Sequence, residues 1–521
     1  MQELNNLVGQ KNGKDKDIGK TLASDRFPNT MDSFWFSINP DIIISPFDFV
    51  TVRHLFNTRT VGMVKELRAT EEVGTVARVA VMANTGIESD SGKTTSVGMP
   101  VGAAKSVRFA DQKEVIFALG IPEMLNPIPA GIIEMTNGLQ VPISLDISYL
   151  LGPDTAHVNA AGISGNLKTT YLYFLLQSAH QRLVKEMRED VAIIIFNTKE
   201  GELLHIDQVK KPNKKTKQLF DLLDLDIKPF ENVTYFLPRG RDGKANSAVV
   251  PSNSNTYSFG LEDVYDRLDL LFGSEDQNSN ISSILNYIYE AWPLFNGNEQ
   301  VNTWSDLLEF TGFPQEVVAH KSTLLRFLGQ VQRFRKSPMF IDKKVTSRYL
   351  GKEIKKIRRN NVFVIDISMI PSLQEQGFVV GDVMKSIDET YSFSRQNNRR
   401  PRYILTFIDE INRFIPRSPG NMSAVAEQVM RTVVAGRSRG TILFSAQQFK
   451  STVDSTLHEN TGMHMIAKLG MSELSTPPYL MIDKSTKASI VRLNKGELVM
   501  VHPAFREPIK ILFPKAPFKT G

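Results

Sequence analysis

The sequence predicts an α/β chain, with a doubly wound parallel sheet, a small β-barrel ahead of it and a helical insertion within it. Three observations predict this. Continuous apolar runs, each 5–6 residues long, alternate with stretches of helical periodicity, as strands buried on both faces of a parallel sheet require. A glycine-containing loop, Gly162 to Thr169, stands between one such strand and one such helix. Before residue 149 the texture differs: short apolar runs are separated by Gly, Pro and Asn, the pattern of a small barrel.

In chain order, residues 1–30 read as a flexible, lysine-rich tail. Residues 31–148 read as the barrel, with strand signals at Phe34–Phe36, Phe49–Val52, Val61–Val64, Val79–Met82, Val115–Phe117 and Val141–Ile143. Residues 149–515 read as the parallel-sheet domain. His157–Ala161 leads into the glycine loop, and Tyr171–Met187 has the recurrence of a helix. Val191–Phe196, Val362–Ile367, Tyr403–Ile408 and Thr441–Ser445 are apolar strands, and Met465–Ala467 extends the series. Between about 203 and 355 helical periodicity dominates, as in Ile281–Ala291 and Lys321–Phe334, so this stretch reads as the insertion. Residues 516–521 read as a short tail.

Composition narrows the function. The chain has 521 residues, enough for two or three domains, with 41% apolar and 23% charged residues. No window holds 18 uninterrupted apolar residues and the N-terminus lacks an apolar signal core, so the expectation is a cytoplasmic protein without a membrane partner. Zero cysteines exclude disulfides, thiolate metal sites and a cysteine nucleophile. The net charge of +6 suits a polyanionic partner only weakly for so long a chain. Basic clusters at 210–217, 355–359 and 399–402 read equally as solvated surface.

The chemistry starts at Gly162-Ile163-Ser164-Gly165-Asn166-Leu167-Lys168-Thr169-Thr170. Gly162, Lys168 and Thr169 fit the phosphate-binding pattern Gly-x-x-x-x-Gly-Lys-Ser/Thr, but Leu167 holds its second glycine position. Such a loop wraps a triphosphate with backbone N–H groups, those of Gly162, Ser164, Gly165, Asn166, Leu167, Lys168, Thr169 and Thr170 being the candidates, and adds a helix N-terminus. Lys168 would reach the β- and γ-phosphates of ATP and Thr169 would hold Mg²⁺. The strand Tyr403–Ile408 ends in Asp409-Glu410, placing two carboxylates where open α/β sheets bind ligands. Asp409 would hold Mg²⁺ through water, and Glu410 would orient or deprotonate the attacking water. Gln447, after the strand Thr441–Ser445, reads either as a polar group touching the γ-phosphate or as a solvated loop glutamine. Arg437, in Val434–Gly440, reads either as a finger completing a neighbouring subunit's site or as a surface salt bridge.

Taken together, the barrel, the phosphate loop, "FIDEINRF", "VVAGRSRGTILFSAQQ" and the closing "LNKGELVMVH" resemble the HerA branch of the FtsK–HerA ATPases over about residues 31–515. The resemblance implies a HerA–ATP-synthase-like barrel, a RecA-like P-loop ATPase core and a homo-oligomeric ring, a hexamer, that translocates on double-stranded DNA. It also implies a separate effector, often a nuclease, and for several bacterial members a role in antiviral defence. By the same resemblance Lys168 and Thr169 are the Walker A pair, Asp409 and Glu410 the Walker B pair, Gln447 the sensor and Arg437 the interface arginine. Arg413 and Arg417 would then face the DNA channel and contact phosphates, where a plain reading makes them an ordinary basic loop.

Two departures from the family pattern stand out: Leu167, and Asn197-Thr198-Lys199-Glu200-Gly201-Glu202 where the family often carries Asp-x-His-Gly-Glu. The first favours a second reading, a nucleotide-binding oligomeric scaffold with little hydrolysis. The retained Asp409-Glu410 pair opposes that reading. A third, a conjugative-type export motor, is opposed by the barrel and by the lack of an apolar span.

Overall fold

A computed structural model describes residues 16–520, apart from 89–93, 153–154, 164, 166–167, 188–189, 274–278, 319, 344, 393–399 and 418–421. Six antiparallel strands open the fold: β1 (Gly19–Leu22), β2 (Ser33–Ile38), β3 (Phe49–Arg53), β4 (Arg59–Thr70), β5 (Gly74–Asn84) and β6 (Ser106–Phe109). They close in the order β1-β2-β5-β4-β3-β6, which leaves no exposed edge. The stretch expected as a tail over 1–30 therefore enters the barrel at β1, because Gly19–Leu22 supplies the strand that joins β2 to β6. Val115–Phe117, expected as a strand, lies in helix α1 (Gln112–Ala118), which Asp111 and Glu114 start with a reciprocal capping box.

The remaining strands are β7 (Pro127–Glu134), β8 (Gln140–Asp146), β9 (Val158–Ala161), β10 (Val191–Asn197), β11 (Val233–Pro238), β12 (Ser254–Tyr257), β13 (Val362–Asp366), β14 (Tyr403–Ile408), β15 (Thr441–Gln447), β16 (Met463–Ile466), β17 (Glu497–Val501) and β18 (Ile509–Leu512). They form one 12-stranded sheet in the order β8-β7-β18-β17-β16-β9-β15-β14-β10-β13-β11-β12. The run from β16 to β12 is parallel, and β17, β18, β7 and β8 add an antiparallel flank. Val141–Ile143, placed in the barrel from sequence, thus belongs to this sheet, so the barrel ends well before residue 148. The stretch 203–355 is likewise not wholly an insertion. Val233–Pro238 is a β-branched and aromatic run that pairs with β13, and its strand signal is masked by the polar sequence around it. The helices Ser279–Ala291 and Lys321–Arg335 are present as the periodicity predicts.

Alternate residues of β10 show how the sheet is held. Val191, Ile193 and Ile195 pack into one core, and Ala192, Ile194 and Phe196 into the other. Each face is roofed by helices, among them α2 (Lys168–Gln181) and α3 (Ala424–Arg439). Both faces being apolar, the polar groups of these strands collect at the ends, and β9, β10, β14 and β15 all finish at one edge.

Candidate active site

That edge gathers the sequence-predicted groups. β9 runs into the phosphate loop and then α2, whose first two residues, Lys168 and Thr169, are buried. Gly162 is required by packing: a Cβ there would lie 2.7 Å from the Ala467 side chain, beside β16. Its N–H donates to the Gln448 carbonyl at 3.2 Å and that of Ile163 to Lys468 at 3.1 Å, tying the loop to the ends of β15 and β16. Gly165 turns at φ +81°, in the left-handed region that glycine enters without cost. Ser164, Asn166 and Leu167 lie outside the described residues, and Thr170 follows half-buried in the first turn of α2.

Asp409, buried at the tip of β14, comes to the start of α2: Thr169 Oγ1 donates to its Oδ2 at 3.3 Å. One strand, β15, separates the two tips, so the approach is made by long-range sheet order and not by neighbouring sequence. Glu410 follows with φ 51° and ψ 46°, a left-handed conformation unusual for a side-chain-bearing residue, and its N–H donates to Asp409 Oδ1 at 2.9 Å. Backbone held this way costs about 1–3 kcal/mol and collects at functional sites. Here it turns the chain sharply at the strand end, leaving the half-buried Glu410 beside the phosphate loop.

Two groups in this cluster are not among the site residues read from sequence. Lys199, in the loop after β10, donates from Nζ to Asp409 Oδ2 at 2.5 Å. Glu202, three residues on, accepts from the Tyr173 hydroxyl of α2 at 3.4 Å. The charges act on one another. Burial pulls the Lys168 ammonium below the ordinary lysine range, while Asp409 and Glu410 work to keep it protonated. Burial pulls the same way on Lys199, but Asp409, Glu202 and Glu410 outweigh it and hold its pKa above the ordinary value. Burial pushes Glu202 up, against the opposing pull of Lys199. The sequence signal for these two residues was their position at the carboxyl end of a parallel strand.

Gln447 ends β15, between the two strand tips, and is fully buried, so it is no solvated loop residue. Its amide is paired reciprocally with Asn159 of β9: Gln447 Nε2 donates to Asn159 Oδ1 and Asn159 Nδ2 to Gln447 Oε1, each at 2.8 Å. Arg437 lies elsewhere. The segment Val434–Gly440, expected as a turn, is the end of α3, which only Gly440 terminates at φ 77°. Since α3 ends where β15 begins, exposed Arg437 sits at the opposite edge of the sheet from Gln447, on the order of 20 Å away at ~3.3 Å per strand residue. Arg413, in the turn Ile411–Arg413, and Arg417 are both exposed, and the Arg417 N–H donates to Thr452 at 2.9 Å. Pro419, near them in sequence, falls outside the described residues.

The donor set suits a hard divalent cation: a hydroxyl and a carboxylate at 3.3 Å, with the Lys199 ammonium already seated on that carboxylate as a cation would be. Among the described residues no helix is long and apolar enough to cross a membrane.

No family model matches the chain, and no curated protein matches it. Among solved structures it is similar to VirB4 of Thermoanaerobacter pseudethanolicus, with a TM-score of 0.44 and 15% identity over 75% of this chain and 97% of that one. It is also similar to the bacterial conjugative coupling protein TrwB, as the ΔN70 form, with a TM-score of 0.43 and 12% identity over 72% of this chain and 88% of that one. A shorter likeness is to the genome packaging NTPase B204 of Sulfolobus turreted icosahedral virus 2, with a TM-score of 0.23 and 10% identity over 32% of this chain and 72% of that one. Scores and identities this low do not assign a family.

Proposed function

We propose that this chain is a P-loop ATPase with a RecA-like core, and that it drives a ring-shaped motor, a homohexamer of the HerA branch, along double-stranded DNA. The carrying observation is the convergence of Lys168, Thr169, Asp409 and Glu410 from two non-adjacent strands at one sheet edge. The buried Lys168 ammonium and the N-terminus of α2 bind the β- and γ-phosphates of ATP, helped by loop N–H groups beyond Ile163, since those of Gly162 and Ile163 are taken by the Gln448 and Lys468 carbonyls. Thr169 and Asp409 hold Mg²⁺, which, when bound, neutralises phosphate charge. Glu410 takes the proton of the attacking water or orients it. Gln447 acts on this site through the strand that carries the phosphate loop, by way of Asn159. Arg437, remote from its own subunit's site, serves a neighbouring subunit as a finger does in a ring, the other reading being a surface salt bridge. Exposed Arg413 and Arg417, just beyond the site, supply the DNA phosphate contacts. A separate effector such as a nuclease, and a role in antiviral defence in the cytoplasm, complete the reading by family resemblance alone.

A second reading, a nucleotide-binding scaffold with slow hydrolysis, is favoured by Lys199 on Asp409. Steady-state ATP hydrolysis with and without linear duplex DNA separates the two. The motor requires DNA-stimulated turnover, reduced about 10²–10³-fold by Lys168→Ala and about 10²–10⁴-fold by Glu410→Gln, with Glu410→Gln still binding ATP. ATP binding without turnover, with DNA present, moves the assignment to the scaffold.

A further inference from the structure

The geometry points to Lys199 as a tethered cation that occupies the metal seat of the site and makes divalent-metal binding conditional on nucleotide. This rests on the reading of Thr169 and Asp409 as metal-holding groups. Asp409 Oδ2 is the oxygen both partners share: Thr169 Oγ1 approaches it at 3.3 Å and Lys199 Nζ at 2.5 Å. A magnesium ion held directly or through one water needs the space and the negative charge at this oxygen, and a second cation cannot take them while the ammonium is in contact. Asp409 is itself 2% exposed, so it has no alternative face to offer.

Lys199 is built to leave. Its side chain is 42% exposed, and it stands on a loop that turns through Gly201 at φ 66° rather than on a strand. Glu202 in the same loop provides a second carboxylate for the displaced ammonium, held in place by the Tyr173 hydroxyl. Without nucleotide, a free divalent ion meets a single buried carboxylate already neutralised by lysine. With nucleotide, the phosphate oxygens add the charge and ligands that tip the exchange, and the lysine moves over to Glu202. The device keeps the buried Asp409 charge compensated whenever no metal ion is bound, since an uncompensated buried carboxylate is strongly destabilising.

The test is Mn²⁺ binding by the full chain, read by electron paramagnetic resonance, with and without a non-hydrolysable ATP analogue, for the wild type, Lys199→Met and Lys199→Gln. The expected result is that both variants bind Mn²⁺ at least tenfold more tightly than the wild type when nucleotide is absent, and within about threefold of it when the analogue is present. In parallel, Mn²⁺ alone raises the melting temperature of the variants and not of the wild type. Equal Mn²⁺ affinities without nucleotide, in proteins that all bind the analogue with metal, overturn the inference and leave the ATPase reading intact. If no protein takes up Mn²⁺ even with the analogue, the site assignment itself fails, and this inference with it.

Discussion

Replacing Gln447 by Met separates a structural glutamine from one that touches phosphate. Asn159 and Gln447 are both fully buried, and each satisfies the other through two hydrogen bonds of 2.8 Å, with Asn159 Nδ2 also donating to Ser445 Oγ at 2.9 Å. Gln447→Met leaves Asn159 Oδ1 without a donor and one Nδ2 proton without an acceptor. At about 1–3 kcal/mol for each of the two orphaned buried groups, the substitution costs roughly 2–6 kcal/mol. Asn159→Leu orphans the matching groups of Gln447 and costs about the same. Removing both amides at once leaves neither orphaned, and Ser445 Oγ, which loses a donor, keeps its bond to the Val158 carbonyl, so the double variant is less destabilised than the sum, by a coupling of about 2 kcal/mol or more. Native-state hydrogen exchange of the β15 amides reads this in the folded protein, without assuming that a chain with a barrel and a large sheet unfolds in one step. Single-variant effects that add to within ~0.5 kcal/mol refute the pairing. So does loss of turnover in Gln447→Met with exchange unchanged, which would restore the glutamine as a group acting directly on phosphate.

Two further outcomes follow from charges outside the site. Lys450 is buried against His464 Nδ1 at 2.8 Å and the Tyr479 ring at 5.5 Å, with Glu473 nearby and His458 bonded to its carbonyl, and burial lowers its pKa to about 7. An unfolded lysine keeps its proton to about 10.4, so between pH 7 and 10 the unfolded state binds more protons and this group makes stability rise with pH. Wild type should therefore gain on Lys450→Met across that window, by up to about 1.4 kcal/mol per pH unit, measured as the difference of their urea midpoints; parallel pH curves would dismiss it. On β4, Lys65 donates to Asp483 and Glu507, each at 2.9 Å, and to Thr486 at 2.8 Å, joining the barrel to the helix Lys484–Val491. Lys65→Met should speed hydrogen exchange in that helix by the equivalent of about 1–3 kcal/mol, less than a fully buried pair because both carboxylates are partly exposed. Burial pushes Asp483 up, but Ser485, Thr486 and Lys65 outweigh it and hold it below the usual carboxylate range, so the wild-type joint should weaken as pH falls below about 4. Exchange that is unchanged in the variant would show that the joint does not depend on Lys65.

What was legible in the sequence was whatever local periodicity encodes. The runs at 191–196, 362–367, 403–408 and 441–445 are strands of one sheet because continuous apolar residues have no other way to be buried on two sides. The phosphate loop and Asp409 could be read because each follows such a strand at its carboxyl end. Pairings between distant segments could not. Nothing within Gly19–Leu22 says that it closes a barrel, and nothing within Val233–Pro238 says that it lies beside β13, since both depend on partners far along the chain. Val115–Phe117 misled for the opposite reason: three apolar residues suit either period, and the Asp111–Glu114 capping box decided for helix. Arg437 was misplaced because Val434–Gly440 reads as a turn from its glycines, whereas Gly436 lies within α3 and only Gly440 ends it.

The two departures in the sequence bear differently on mechanism. Leu167 takes a glycine position of the motif in a segment that keeps Lys168 and Thr169. The Lys199–Glu202 segment alters the charge of the site, which a loop shift cannot repair. It adds an ammonium and a carboxylate within reach of Asp409, Glu410 and Lys168, so the site holds three acids and two bases where those three residues alone supply two acids and one base. With the extra pair present, the net charge of the site is unchanged, but a cation already lies on Asp409. The energetic consequence is selective. On the proposed ATPase reading, nucleotide binding by Lys168 and α2 is left intact, while a metal ion that arrives ahead of nucleotide must first displace Lys199. On the same reading, turnover limited by the release of Lys199 from Asp409 would be quickened by Lys199→Met, whereas turnover limited by Leu167 would not, and that difference in response locates the cause without any change to the loop.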